Sequence, residues 1–486
     1  MTMESYFSKF REQTIGSDLV HEIQGTKKKI IYADWTASGR LYHPIENYIS
    51  NHLGPYVANT HTETTLTGTT MTLAYADAQN IIKQHVNASE DDVLIMDGSG
   101  MTGVVNKFQR ILGLRVPERF KDGSFEDEND KPLVVVTHME HHSNQTSWLA
   151  CEVTLEVLHA DEKGMPSLKH LNELLIKYKD RTMKIGAFSA CSNVTGIVTN
   201  YYEMAEIMHQ HGGLCFVDFA ASAPYININM HPADPAHKLD AIFFSPHKFL
   251  GGPGASGALI FNKSLYHNKV PDNPGGGTVL WTNPWGEHKF FDNIEVREDG
   301  GTPGFLQCIK AALAIKLKEA MGTKNIAMRE RELTKIIMDG FDKNEKITML
   351  EPKQRERLCI ISFYMEDIHH NLVVKLLNDK FGIQTRGGCS CAGTYGHILL
   401  GVSKEQSHEI SDKITHGDLT DKPGWIRVSL HPTSTDAEAH SIVDALVQIT
   451  ANHSLWRKEY KFNSENGEFE SENESAQFVG LDDFIA

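Results

Sequence analysis

The sequence predicts an α/β protein: a large domain built on a mostly parallel, seven-stranded sheet covered by helices, followed by a smaller α+β domain. Two observations lead there. Seven short apolar runs recur between residues 91 and 261, separated by longer mixed segments, some of them helically periodic. A second set of helices and short strands, differently patterned, begins near Phe305.

The first run, Asp91 to Asp97, leads into a Gly-Ser-Gly turn and a helix through Arg110. Leu133 to Thr137 is continuous and β-branched, and Val153 to Leu158, Met183 to Phe188, Leu214 to Val217, Leu239 to Phe244 and Ala258 to Phe261 repeat the pattern. Ser167 to Tyr178 and Tyr201 to Gln210 read as helices between them, and the charged stretch Pro117 to Lys131 as a surface excursion. In the second region a long helix starts at Phe305. It is followed by a helix over Thr323–Phe341, a strand over Leu358–Phe363, a helix from Ile368 to Asp379, a strand from Trp425 to Leu430 and a helix from Asp436 to Ala451. The expected domains are 1–30, a segment on the small-domain side; 31–304, the large domain; 305–462, the small domain; and 463–486, an acidic, disordered or loosely attached tail.

Bulk properties narrow the function. A chain of 486 residues, 40% hydrophobic and 23% charged, is an ordinary soluble mixture. Its net charge of -16 argues against nucleic acid or an anionic membrane as the main partner. No apolar run reaches the roughly twenty residues of a membrane-spanning helix, and Met1–Phe10 lacks the basic and apolar regions of a secretion signal. Seven cysteines are too few for a disulfide scaffold, and Cys151, Cys215 and Cys359 read as buried thiols. A cytoplasmic location follows as the expectation.

Three features of the large domain suggest a shared chemistry. Asp218 ends an apolar strand, and in an open parallel sheet strand carboxyl ends face the ligand crevice. A carboxylate there can keep a pyridinium nitrogen protonated, although a turn-capping aspartate would look the same. Ser245-Pro246-His247-Lys248 follows the next strand, about thirty residues later, with Gly251, Gly252 and Gly254 behind it. A lysine in that place can form an imine with an aldehyde cofactor and then shuttle a proton; read alone, it is also an ordinary surface lysine. Gly98-Ser99-Gly100-Met101-Thr102-Gly103 joins a strand to a helix, where small residues and free N–H groups can cradle a phosphate. It lacks the Lys-Ser/Thr ending of a Walker A loop.

Together with Asp34-Trp35-Thr36-Ala37-Ser38, Glu140-His141-His142-Ser143-Asn144, Ser192-Asn193-Val194-Thr195-Gly196, Gly300-Gly301-Thr302-Pro303 and Arg386 through Cys391, these motifs resemble the class V aminotransferase-like group of fold type I pyridoxal phosphate enzymes. The resemblance runs over residues about 30 to 450, and within the group it is nearest to cysteine desulfurases and selenocysteine lyases. It implies pyridoxal 5'-phosphate as cofactor; no metal is expected, because no companion ligand pattern supports a zinc site. It makes Lys248 the Schiff-base lysine, Asp218 the partner of the ring nitrogen, and His141 the imidazole stacked over the ring; without the resemblance His141 and His142 could equally be metal ligands. Asn193 is implied beside the ring oxygen and the substrate carboxylate, and Ser99, Gly100, Ser245 and His247 around the phosphate. Thr302 is implied to reach the phosphate of a neighbouring subunit, hence a homodimer with shared active sites. One departure is visible. The family's glutamine three residues after the aspartate is Ala221 here, with Ser222 or a water as the candidate substitute.

Arg386 suits an amino-acid carboxylate through paired hydrogen bonds, and a cysteine on a glycine-flanked loop could swing toward a substrate sulfur. Cys389 and Cys391 can also be read as two small buried residues or half of a metal site. In desulfurases the catalytic cysteine lies five positions after the arginine, which the resemblance carries to Cys391, with Arg427 as a second arginine of the site. Cys389 is then an extra thiol, an arrangement that also resembles the desulfurase domain of molybdenum cofactor sulfurases. About 35 residues separate Cys391 from Arg427, more than in compact desulfurases, and Tyr395, Gly396 and His397 are candidates for a lid or a reshaped pocket. The expected activity is conversion of L-cysteine to L-alanine with a persulfide on Cys391, passed on to an acceptor that could be a protein. The alternatives are a lyase or aminotransferase-like enzyme acting on another amino acid, sulfur- or selenium-containing ones included, and a non-catalytic scaffold.

Overall fold

Alternation within the seven apolar runs decides how they pack. A computed structural model describes residues 2–60, 62–120, 130–471 and 480. Each run forms a strand within one or two residues of the expected limits: β1 (Asp92–Asp97), β2 (Leu133–Val136), β3 (Thr154–Val157), β4 (Lys184–Ser189), β5 (Leu214–Asp218), β6 (Ala241–Phe244) and β7 (Gly257–Asn262). They join in one sheet of order β1-β7-β6-β5-β4-β2-β3. β7 is antiparallel to both of its neighbours, and the remaining pairs are parallel. Successive residues point to opposite faces. Leu133 and Val135 therefore enter one buried cluster, with Cys308 and Ile315. Val134 and Val136 enter another, with Val104, Val105 and Phe108. Because both faces are covered, the inner strands are apolar at most positions, whereas the edge strand β3 carries Thr154 and Glu156 and is only half-buried.

The covering helices include α1 (Leu66–His85), α2 (Met101–Ile111), α3 (His142–Leu149) and α4 (Phe305–Met321). The smaller unit is an antiparallel sheet of β8 (Thr348–Met349), β9 (Ile360–Tyr364), β10 (Arg386–Gly388) and β11 (Trp425–Ser429), in the order β8-β9-β11-β10. α5 (Thr323–Phe341), α6 (His370–Phe381) and α7 (Asp436–Trp456) pack on it through Leu333, Ile337, Leu376, Ile442 and Ile449. α7 begins at a capping box in which Thr435 and Glu438 satisfy each other's backbone N–H groups. It runs five residues past the expected end.

The N-terminal segment, expected on the small-domain side, packs on both units, and the C-terminal one is more integrated than composition suggested. Phe7 and Phe10 of the helix Met3–Arg11 pack in the large-domain cluster, while Arg11 pairs with Glu438 of α7 at 2.6 Å. Ile31–Tyr32 pairs in parallel with Ile383–Gln384 of the small unit. Residues 463–471 are not loosely attached. Tyr460–Asn463 and Glu468–Ser471 form an antiparallel hairpin, and Phe469 is buried against the small-domain core. The missing cue was that Tyr460, Phe462 and Phe469, spread through a polar stretch, come together across the ribbon to anchor it. Residues 472–479 and 481–486 of the expected tail, and 121–129 of the expected excursion, lie outside the described residues. Among the described residues no helix is long and apolar enough to cross a membrane.

Candidate active site

Parallel register brings the chemistry to one edge. Ser189 at the end of β4 pairs with Asp218 at the end of β5, and Asp218 pairs with Phe243 of β6. The segment Ser245–Lys248 therefore leaves the sheet beside Asp218, and the loop after β1 arrives at the same edge. A cavity of about 280 Å³ opens there. Its walls contain Ser99, Gly100, His141, Asn193, Asp218, Ser245, His247, Lys248, Arg386, Cys391 and Arg427, so every expected site residue except Thr302 lines one space. Thr302 is exposed on the surface of its own chain.

The proposed phosphate end is built by close backbone approach. At Gly257 in β7 a Cβ would lie 2.3 Å from the carbonyl oxygen of Gly100, so a glycine lets the strand pass beneath the loop. Ser245 Oγ accepts from the N–H of Met101 at 2.8 Å, joining the lysine segment to the start of α2. A Cβ at Gly100 would come within 3.1 Å of Ser245 Oγ and 3.4 Å of His247 Nε2. The hydroxyl, the imidazole and the first N–H groups of α2 thus converge on a space kept open by a missing side chain. Gly100→Val is expected to weaken cofactor binding at least about tenfold, or about 1.4 kcal/mol. Titrating the absorbance of bound cofactor measures it; unchanged affinity would remove the phosphate from this corner.

Across the cavity the charges oppose one another. Burial raises the Asp218 carboxyl to about 7, with Glu140 adding to the rise and Lys248 opposing it. Its Oδ1 accepts from the N–H of Ala220 at 2.8 Å. Asp218 therefore braces a turn and still presents an acid to the cavity. Burial lowers the Lys248 amine to about 8; Asp218 resists, while Arg427 and Arg386 push further down. Burial, with help from Lys248 and His142, holds His141 at about 3, a neutral ring near pH 7. His141 Nδ1 accepts from the N–H of Ser143 at 3.1 Å, which leaves the proton on Nε2. Among the described residues no group of three or more His, Cys, Asp or Glu is arranged to hold a metal ion.

Several residues quoted only as parts of motifs turn out to set this geometry. Glu140 is buried and accepts from the hydroxyls of Thr137 and Ser189, both at 2.6 Å, and from Asn144 Nδ2 at 2.8 Å. It ties the His141 loop to β4. Asp34 bridges both arginines: Arg427 Nη2 lies 2.7 Å from its Oδ1 and Arg386 Nε 3.2 Å from its Oδ2. The two arginines are register partners on β10 and β11, so pairing of the small sheet sets their spacing. Two guanidiniums against one carboxylate leave a surplus positive charge for a substrate carboxylate. The signal available in the sequence was only the presence of Asp34 in a recognised motif; its partners lie more than 350 residues away.

The cysteine turn is clamped from the large domain. Asn193 Nδ2 donates to the Ser390 carbonyl at 2.8 Å, and the N–H of His142 donates to the Cys391 carbonyl at 2.7 Å. Ser390 and Cys391 have φ of 49° and 55°, a left-handed conformation unusual for two consecutive non-glycine residues. Cys391 is exposed, Cys389 partly so, and the other five cysteines are buried. Two expectations fail here. Ser222 is fully buried and does not line the cavity, whereas Ala220 and Ala221 do, so its hydroxyl does not replace the missing glutamine. Tyr395 is not a lid. It lies in the helix Gly393–Leu399 and packs with Met139, Val194, Ile197 and Trp425, because its large ring fills the space behind the turn.

The residues present fit pyridoxal phosphate. Besides the open cradle and the facing acid, Asn193 brings a buried Oδ1 that finds no hydrogen-bond partner within the protein. The fold and this cavity define a fold type I pyridoxal phosphate enzyme. The chain belongs to the aminotransferase class-V family, whose pattern matches residues 31–442. It is 29% identical over 382 residues to a probable cysteine desulfurase of Halalkalibacterium halodurans, covering 77% of this chain and 86% of that one. A probable cysteine desulfurase of Staphylococcus aureus strain Mu50 is 27% identical over 369 residues, 75% and 84% of the two chains. Among solved structures, the apo cysteine desulfurase of Thermococcus onnurineus NA1 superposes with a TM-score of 0.72 at 21% identity, covering 91% of this chain and 98% of that one. The cysteine desulfurase CsdA of Escherichia coli gives 0.68 at 19% identity, covering 92% and 98%. These two likenesses concern the fold.

Proposed function

We propose that this protein is a cysteine desulfurase that converts L-cysteine to L-alanine and retains the sulfur as a persulfide on Cys391. The observation that carries the reading is that an exposed thiol, on a turn of unusual conformation, lines the same cavity as Lys248 and two arginines. Bound pyridoxal phosphate would supply the electron sink that lets bonds at the amino acid's α and β carbons break. Ser99, Gly100, Ser245 and His247 would hold its phosphate, Asp218 its ring nitrogen, and His141 one ring face.

Arg386 and Arg427 grip the substrate carboxylate, while Asp34 keeps the two guanidiniums from repelling one another. The Lys248 amine, lowered to about 8, takes a proton from Cα and returns one as alanine forms. Cys391 thiolate attacks the substrate sulfur; an S–S bond forms, the carbon–sulfur bond breaks, and the sulfur leaves with Cys391. Names of the relatives support this choice of substrate, as does the five-residue step from Arg386 to Cys391. The proposal extends to a homodimer in which Thr302 completes the partner's phosphate site, to a sulfur-accepting partner, and to a cytoplasmic setting where the thiols stay reduced.

Cys391→Ser is expected to lower steady-state alanine formation from L-cysteine by at least about 10³-fold while cofactor absorbance is retained. Alanine production unchanged in that variant would end the role of the thiol. Ala221 in the cavity wall favours a second reading, a lyase or aminotransferase-like enzyme acting on another amino acid. A screen in which a different amino acid perturbs the cofactor spectrum and L-cysteine does not would select it.

A further inference from the structure

The turn that carries Cys391 also carries Cys389, and two cavities meet at it. A second space, of about 310 Å³, shares Arg386, Ser390 and Cys391 with the cofactor cavity. Cys389 lines only this second one. Much of its wall comes from two pieces peculiar to the chain's layout. Leu419 and Lys422 belong to the long stretch between Cys391 and Arg427. Asn466, Gly467 and Glu468 belong to the C-terminal hairpin, beyond residue 442 where the family match ends. Hydrogen bonds hold these pieces together: the N–H of Leu419 donates to the Ser464 carbonyl at 2.8 Å, and Asn371 Nδ2 to the Gly467 carbonyl at 2.8 Å. His369, also in the wall, has a buried Nε2 with no hydrogen-bond partner in the protein.

Two residues of chain limit the Cα atoms of Cys389 and Cys391 to at most about 7 Å apart, the outer edge of the range in which cysteine sulfurs can meet. The N–H of Ala392 donates to the Cys389 carbonyl at 2.9 Å, so one tight turn presents both thiols. We propose that Cys389 is a second sulfur-carrying thiol, which takes sulfur from Cys391 and hands it to a small anionic thiol bound in the second cavity. The inference rests on the desulfurase reading. Cys389 thiolate attacks the outer sulfur of the Cys391 persulfide. One S–S bond forms, the other breaks, Cys391 departs as thiolate, and the proton stays on the transferred sulfur. The acceptor thiolate repeats the exchange on Cys389, and no oxidant or reductant is consumed. Lys422, with Arg386 shared from the cofactor cavity and paired there to Asp34, faces a single lining carboxylate, Glu468, and this balance favours an anionic acceptor. The volume suits a small molecule.

The test uses holoenzyme given one equivalent of L-cysteine, then alkylation and peptide mass spectrometry, with mercaptoacetate and cysteamine as anionic and cationic acceptors. In the wild type, extra sulfur is expected on Cys391 first and Cys389 later. In Cys389→Ser it stays on Cys391, and transfer to mercaptoacetate slows about tenfold. Lys422→Glu is expected to raise the KM for mercaptoacetate and not that for cysteamine. Sulfur confined to Cys391 in the wild type, with transfer unaffected by Cys389→Ser, would overturn the relay and leave the desulfurase reading standing. A Lys422→Glu enzyme indifferent to acceptor charge would overturn the assigned cavity. Absence of both alanine and cysteine-bound sulfur would remove the desulfurase reading itself, and the relay with it.

Discussion

Replacing Lys248 with alanine is expected to lower alanine formation from L-cysteine by about 10⁴-fold, the upper range for a group acting as both nucleophile and proton carrier. The loss should be chemical and not structural, because Ser245, His247 and Gly100 still form the phosphate cradle and the variant should bind cofactor. Borohydride treatment followed by peptide mapping should mark Lys248 in the wild type and nothing in the variant. The wild-type apoprotein offers a second check on the same amine. Only a neutral amine attacks an aldehyde, and burial brings this lysine from 10.5 to about 8. About a tenth of it is then neutral at pH 7. The rate of cofactor capture should climb as pH rises through about 8 and level off above it. A rate still rising at pH 10 would mean the amine is not held as the cavity suggests, and wild-type turnover surviving in Lys248→Ala would assign the chemistry to another group.

Asp218→Asn should cost about 10² to 10³ in kcat, the range for removing one preorganised electrostatic group from a dry site. The amide keeps the shape, and its oxygen can still accept from the N–H of Ala220, so the turn is preserved. What it cannot do is carry the negative charge that holds a proton on a ring nitrogen. Without cofactor the carboxyl is raised to about 7 by burial, and a cationic ring against it would favour the ionised form again. Cofactor affinity should fall less than kcat, since the phosphate contacts are remote. An unchanged kcat in the asparagine variant would show that ring protonation does not depend on this acid.

Much of the fold was legible because strand alternation and helix period are local. A run such as Leu133–Val136, apolar at every position, can be stable only with both faces covered, and it became an inner strand of a sheet whose edge strand, Thr154–Val157, is only half-buried. The two chain ends were less legible for an equally physical reason. Phe7, Phe10 and Phe469 stand in short, otherwise polar stretches, and whether such rings are buried depends on a surface supplied by another part of the chain. The site divides in the same way. Lys248, Asp218 and the Gly98–Gly103 loop lie at strand ends, where position in an open parallel sheet already implies the crevice. Asp34 and Glu140 were named only within motifs, and His142 only there and as a possible metal ligand, because their work lies in hydrogen bonds to groups that the sequence does not place nearby.

By itself the sequence determined the layered architecture, the placing of Lys248 and Asp218 at strand ends, and the motif order that resembles the class V aminotransferases, since all three are written in short stretches and their spacing. Only the tertiary structure decided that Asp34 holds two arginines together, that Tyr395 packs behind the cysteine turn, and that Ser222 is buried outside the cavity wall. It alone placed Cys389 in the wall of a second cavity, lined in part by the C-terminal hairpin. Each of these depends on segments distant in the chain meeting in one register, and side-chain direction there is set by packing, which no local pattern encodes.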